Sequence, residues 1–294
     1  MKMKKILVTG ASGFIGSNIL PILSKNVSFK IFSPSRNMLD LKNANDVKSY
    51  LKKEKFDVVL HLANPNPLRN CEDSAISMGE GSLRIFMNFL SCSDLYEKMI
   101  YTGSGAEFDK SLDMNLVSED ECQRSIPKDS YGFAKYVMND LALKSDNVYN
   151  FRIFGCYGPG DAASKFITHC IRSILLNKNI TIRKDCKFDY LHVFDFSNFI
   201  NWGIRSNLNY HDYNVCSGIP VLLSEIAEIV KRLMNSKVQI KLLSDELNRN
   251  YTASNKRILE ESGISLEYSL EKGINKQIEW EIEHFNKDTL FDGE

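Results

Sequence analysis

Apolar residues in this chain fall into short runs that alternate with helix-length amphipathic stretches. The first run, Ile6-Leu7-Val8, follows two lysines and ends at Thr9. Three glycines spaced three apart come next (Gly10, Gly13 and Gly16), and Ile15, Ile19, Leu20, Ile22 and Leu23 then mark one face of a helix. A strand at 29–32 is stopped by Ser33-Pro34-Ser35, and a helix over 44–54 leads to a near-continuous apolar strand, Phe56 to Leu62. A helix near 81–93, a strand at 98–102, a helix over 130–144 and a strand at 148–153 continue the pattern. Continuous apolar strands alternating with helices predict an α/β fold with a doubly wound parallel sheet, covered on both faces.

Around Tyr157-Gly158-Pro159-Gly160 the rhythm changes. Helices are expected over 164–176, 194–204, 224–234, 255–261 and 270–284, with short strands at 180–183, 213–215 and 238–243. The expected organisation is a dinucleotide-sized domain over 1–160 and a smaller mixed α/β substrate lobe over 161–294, with segments near 188–216 free to return to the first domain. Ligands of such an arrangement bind at the carboxyl ends of the strands, between the two parts.

Composition narrows the class without choosing a function. The 294 residues are 43% hydrophobic and 25% charged, with 37 basic and 37 acidic side chains. Zero net charge gives no basic field for nucleic acid. No apolar run approaches the roughly 20 residues of a membrane span, and Ile6 to Val8 is too short for a signal-peptide core. The cysteines at 71, 92, 122, 156, 170, 186 and 216 are odd in number and contain no C-x-x-C pair. They read as reduced thiols of a cytoplasmic protein, with no disulfide framework and no metal site.

Candidate chemistry sits at three places. A strand that feeds a glycine turn and then a helix N-terminus is suited to a pyrophosphate, because glycine lets the backbone approach the ligand and the helix end favours an anion. The spacing here is G-x-x-G-x-x-G, which differs from G-x-G-x-x-G. Tyr131 and Lys135 stand four apart on one helix face, where a cation would lower the phenol from its ordinary pKa of about 10 and make it usable for proton transfer. The same spacing is also common between exposed residues. Ser104 follows the strand at 98–102, at the sheet edge where ligands bind, and its hydroxyl can hold a substrate oxygen.

Taken together, these stretches resemble the extended short-chain dehydrogenase/reductases, the NAD(P)-dependent epimerase/dehydratase family acting on nucleotide sugars. The resemblance is carried by Thr9 to Gly16, Asp57 to Ala63, Ser104, Tyr131 with Lys135, Arg152 leading to Tyr157-Gly158-Pro159, and Asp189 to Asp195. It implies a Rossmann-type nucleotide domain, a nucleotide-sugar substrate, and a homodimer built on the helix of Tyr131 and the helix near 81–93. It further implies Tyr131 as the acid-base residue, Lys135 as the group that lowers its pKa and binds the nicotinamide ribose, and Ser104 as the group that orients the sugar oxygen. Cofactor contacts are expected at Gly10, Ser12, Gly13, Phe14, Ile15, Gly16, Leu62, Ala63, Tyr131 and Lys135.

After the second strand, a carboxylate would hold the ribose of NAD and repel the phosphate of NADP. Ser33, Ser35 and Arg36 stand there instead, and a guanidinium with two hydroxyls suits a phosphate. NADP(H) is therefore favoured and NAD(H) remains the alternative. Arg36 to Leu41 also resembles the matching stretch of the GDP-fucose synthase and dTDP-4-dehydrorhamnose reductase branches, which places Asp40 and Leu41 near the adenine.

Departures from the family are equally informative. The 4,6-dehydratases carry Thr-Asp-Glu where this chain has Ser104-Gly105-Ala106, so dehydration loses its acids, and Glu107 is displaced from their place. Gly155 and Phe188 replace an Asn and an Arg that usually help hold the substrate, leaving Arg172, Arg183 and Arg249 as open substitutes. Cys156 and His192 are read first as structural. The expected activity is NADPH-dependent reduction of a nucleotide-linked 4-keto-6-deoxy sugar for surface polysaccharide. The alternatives are an NAD-dependent 4-epimerase and, from another class, a non-catalytic dinucleotide sensor.

Overall fold

The computed structural model describes residues 3–65 and 75–285; Cys71 lies outside them. Its first half is built from β1 (Lys4–Thr9), α1 (Phe14–Leu23), β2 (Phe29–Phe32), α2 (Ala44–Glu54), β3 (Phe56–His61), α3 (Ala75–Leu90) and β4 (Tyr96–Ser104). These are followed by β5 (Met114–Val117), α4 (Ser130–Leu143), β6 (Val148–Ile153) and β7 (Gly155–Tyr157). Side chains alternate across a strand, and the core divides accordingly. Ile6, Val8, Val58, Leu60 and Ile100 pack on one face of the sheet with Ile19 and Leu23 of α1. Leu7, Val59, Met99 and Tyr101 pack on the other with Val47, Leu51, Phe86, Phe89 and Met138 of α2, α3 and α4.

The second half contains α5 (Phe166–Leu175), β8 (Ile180–Ile182), β9 (Lys187–His192), α6 (Val193–Arg205), β10 (Asp212–Val215) and β11 (Pro220–Leu222). The chain then runs through α7 (Leu223–Leu233), β12 (Ile240–Leu242), β13 (Tyr251–Ala253), α8 (Lys256–Ser262) and α9 (Leu270–His284). The main sheet has the order β10-β6-β4-β3-β1-β2, with every pairing parallel. The strand at 212–215 and the helix before it thus stand with the first domain, and α6 lends Phe196, Phe199 and Ile200 to the face that α1 covers. Connections leave β1 and β3 in opposite directions, which opens a crevice at their carboxyl ends.

A second sheet runs β11-β9-β13-β5 with β7 paired to β9, and β8 pairs with β12. The sequence pattern does not predict β5, β7, β9, β11 or β13, because strands of three or four residues are too short to show a period and β9 mixes charged with aromatic positions. β4 also runs two residues past its expected end, and α3 starts six residues earlier than expected. Two buried acids pin this lobe in place. Asp189 accepts bonds from the Ser217 amide and hydroxyl and from the Gly218 amide, at 2.6 to 2.8 Å. Asp195 accepts from the amides of Glu267 and Tyr268, at 2.9 and 3.0 Å. Among the described residues, no helix is long and apolar enough to cross a membrane.

Candidate active site

The glycine loop leaves β1 under tight constraint. Gly10 has φ +71°, and a Cβ there would lie 2.6 Å from the Ala63 nitrogen. One at Gly16 would lie 2.3 Å from the Gly10 oxygen, so glycine is required for the helix to pack on its own loop. Thr9 stitches the neighbouring strand on. Its Oγ1 accepts from the Ala63 amide at 3.2 Å and meets His61 Nδ1 at 2.9 Å, while its carbonyl accepts from Leu62 at 3.3 Å. Helix α1 begins after Gly13 with no side-chain cap and no acid in its first turn, so its positive end suits an anion. Ser12 is exposed, and Phe14 and Ile15 are half-buried around this end.

Ser33, Ser35 and Arg36 emerge beside the loop, because β2 pairs parallel with β1 up to Phe32. All three are exposed, and Arg36 forms no ion pair among the described residues. The first acid after β2 is Asp40, which accepts the Lys42 amide at 2.9 Å. The Leu41 carbonyl takes a bond from Asn88 of α3 at 2.8 Å. A cradle that only glycine permits, an uncapped helix end and a carboxylate-free edge fit a dinucleotide cofactor. Gly10 to Gly16 would hold its pyrophosphate, and Ser33 to Arg36 would lie by its adenosine ribose.

Ser104, Tyr131 and Lys135 converge at the carboxyl end of β4. Asp129 caps α4 by accepting the Gly132 amide at 2.9 Å, which sets Tyr131 in the first turn. Lys135 is buried, its Nζ donates to the Thr102 carbonyl at 3.0 Å, and it stands 5.8 Å from the centre of the Tyr131 ring. Burial lowers this ammonium to about 8, against a raising effect from Glu107. Burial likewise pushes the Tyr131 phenol up to about 12; the Ser104 hydroxyl lowers it, and Glu107 and Asp129 raise it further. Loss of water dominates the Tyr131 shift, and a proton of the Lys135 ammonium is turned to the Thr102 carbonyl. His61 is held neutral below, lowered to about 3 by burial and by Lys135.

Glu107 proves to be a support behind the site. It is fully buried and accepts the Ser104 amide at 2.9 Å, Asn150 at 2.8 Å and Arg152 Nε at 2.6 Å. Arg152 continues to Asn214 and Asp212, each at 2.9 Å. An arginine within an apolar strand is a signal that a buried carboxylate must exist, but the sequence does not say which one. Tyr251 of β13 also reaches the site, from a strand too short to show in the sequence pattern. The Ser104 hydroxyl lies beside both phenols and lowers the pKa of each, although burial raises both overall.

The remaining candidates stand apart from this chemistry. The half-buried Cys156 thiol is pushed well up by burial and by Asp161. His192 accepts the Phe194 amide through Nδ1 at 3.3 Å and stacks on Tyr268 at 4.4 Å, while burial and Lys272 lower it to about 4. Arg172 pairs with Glu281 at 2.8 Å, and Arg183 and Arg249 are exposed. Phe188 packs its ring 5.1 Å from that of Tyr251, and Gly155 pairs with Tyr190 between β7 and β9.

Known proteins share this fold. A GDP-6-deoxy-D-talose 4-dehydrogenase of Aggregatibacter actinomycetemcomitans is 27% identical over 252 residues, spanning 81% of this chain and 82% of that protein. The fold superimposes on a GDP-L-fucose synthetase from Naegleria fowleri bound to NADP with a TM-score of 0.83, at 17% identity, covering 96% of this chain and 94% of that one. It also matches MlghC, the GDP-mannoheptose C4 reductase of Campylobacter jejuni with NADP bound, with a TM-score of 0.80 at 18% identity over 95% and 98% of the two chains. The profile of the NAD dependent epimerase/dehydratase family matches residues 6–216, from the first strand to the end of the last strand of the main sheet. The chain belongs to the NAD dependent epimerase/dehydratase family.

Proposed function

We propose that this protein is an NADPH-dependent reductase of a nucleotide-linked 4-keto-6-deoxy sugar. The observation that carries the reading is the convergence of Ser104, Tyr131 and Lys135 at the carboxyl end of β4, with Gly105 and Ala106 where a dehydratase would need acids. Glu107, the one acid of that turn, faces inward to Arg152. Two of the similar proteins are named for chemistry at sugar position 4, a 4-dehydrogenase and a C4 reductase.

When bound, NADPH supplies the hydride. The residues of this chain handle the charge that then builds on the carbonyl oxygen. Tyr131, with a pKa near 12, is fully protonated at neutral pH and is a stronger acid than an aliphatic hydroxyl, so it donates to the nascent alkoxide. Such positioned proton transfer contributes roughly 10²- to 10⁴-fold. Ser104 bonds the same oxygen and fixes its orientation. Lys135 brings positive charge to the site and is available to a ribose hydroxyl.

The test is incubation of the purified protein with NADPH and GDP-, dTDP-, CDP- and UDP-linked 4-keto-6-deoxy sugars. Loss of nicotinamide absorbance with formation of a 6-deoxy sugar is expected. With the corresponding 4-hydroxy sugars in place of the ketones, interconversion of 4-epimers with no net NADPH oxidation would mean an epimerase instead. We also propose a cytoplasmic homodimer through α3 and α4, where Met87 and Phe133 are 41% and 48% exposed. A monomeric mass by light scattering at micromolar concentration counts against the dimer.

A further inference from the structure

Tyr251 comes from the second lobe, far in sequence from the residues it meets. β13 is held between β9 and β5, which carries the phenol to the end of β4. Its ring is wedged against Phe154 and Phe188, with both centroids 5.1 Å away. The hydroxyl lies directly over Gly105, where an added Cβ would sit 2.4 Å from its oxygen. Ser104 precedes that glycine, and its hydroxyl is drawn back into its own turn by the Ala106 amide at 3.2 Å. A serine held only in this way would face the backbone. The Tyr251 phenol, seated over the same turn, offers the Ser104 hydroxyl a competing bond.

We propose that Tyr251 is a positioning residue of the reaction centre: by a hydroxyl–hydroxyl bond it holds Ser104 next to Tyr131, so that both face one carbonyl oxygen. Glycine at 105 is the steric condition for that bond. The rate effects rest on the reductase reading, whereas the contact itself does not. Because β13 belongs to the substrate lobe, the arrangement ties the serine's orientation to the seating of that lobe on the main sheet.

The experiment is a double-mutant cycle of Tyr251→Phe and Ser104→Ala, read by kinetics and separately by thermal denaturation. Tyr251→Phe is expected to lower kcat roughly 2- to 12-fold, the range of one lost hydrogen bond, with KM for the sugar and Kd for NADPH within about twofold of wild type. The loss should disappear in the Ser104→Ala background. Gly105→Ala should reproduce the Tyr251→Phe loss, because the new methyl displaces the phenol. Equal losses in both backgrounds, or a raised KM at unchanged kcat, would overturn the proposal. The denaturation cycle needs no turnover: non-additive shifts in Tm support the Ser104–Tyr251 bond, and additive shifts refute it. If the wild-type protein turns over none of the sugars, the reductase reading fails while the denaturation cycle still decides the contact.

Discussion

Burial sets the protonation of Tyr131 and Lys135, and it does so in opposite directions for the acid and the base. Lys135 is the group that titrates near neutrality. Its pKa of about 8 means that the ammonium is present below pH 8 and lost above it. If the charge is needed, kcat/KM for reduction falls as pH rises, with an apparent pKa near 8. Lys135→Arg should move that limb out of the measurable range while lowering the absolute rate, and a pH–rate profile checks both. Asp161 supplies a second residue-scale test. It is buried beside Glu281 and Lys165, and burial, with Glu281 adding, raises its carboxyl to about 7. The folded state therefore holds this proton more tightly than the unfolded chain. The stability this gives is full below about pH 4 and is lost as pH rises through 7. Asp161→Asn keeps the acceptor for the Ala162 amide and removes the titration. Relative to wild type it should gain stability between pH 4 and 7, on the order of 4 kcal/mol, followed by denaturant midpoints at each pH. The Tyr-Lys pair was legible in sequence because four residues on a helix fix a shared face. The pKa values were not, because they depend on what covers that face.

At the level of elements, the working parts sit where long apolar strands end. Those strands declare themselves by composition, which is why the glycine loop after β1, the Leu62-Ala63 edge after β3 and the serine after β4 could be placed in order from the chain alone. The second sheet could not, because its short strands are stabilised by partners 30 to 140 residues away, such as β13 with β9 and β5. The same distance hides Tyr251. A different kind of long-range link joins β4, β6 and β10, where Glu107, Arg152 and Asp212 form a buried ion-pair chain with contacts of 2.6 and 2.9 Å. Cutting such a chain strands a charge without water. Arg152→Met leaves the buried Glu107 carboxylate without its cation, while Asp212 keeps Arg257 at 2.7 Å, and should cost about 3–5 kcal/mol, seen as a lower denaturation midpoint at unchanged m-value. Because Glu107 also holds the Ser104 amide, the surviving folded protein should show lower kcat as well.

For the molecule as a whole, the cofactor is the piece that joins the sheet edge to the reaction centre, and its identity is decided at the rim. Arg36, Ser33 and Ser35 are exposed beside the glycine loop with no acid among them. A 2′-phosphate bound there would gain a guanidinium partner, whereas a bare ribose would gain little. Binding to the folded state alone stabilises it by RT ln(1 + [L]/Kd), about 2.7 kcal/mol at a hundredfold excess over Kd. For a chain of this size that raises Tm by roughly 4–5 °C. NADPH should produce such a shift at concentrations where NADH does not. Arg36→Glu, which places a carboxylate against the phosphate, should abolish most of the NADPH shift, leave the melting temperature of the ligand-free protein within about a degree, and preserve or improve the response to NADH. Thermal denaturation with both cofactors, in wild type and variant, decides the matter. A larger shift with NADH in the wild type would assign the loop to NAD and would move the balance of the reaction toward the epimerase.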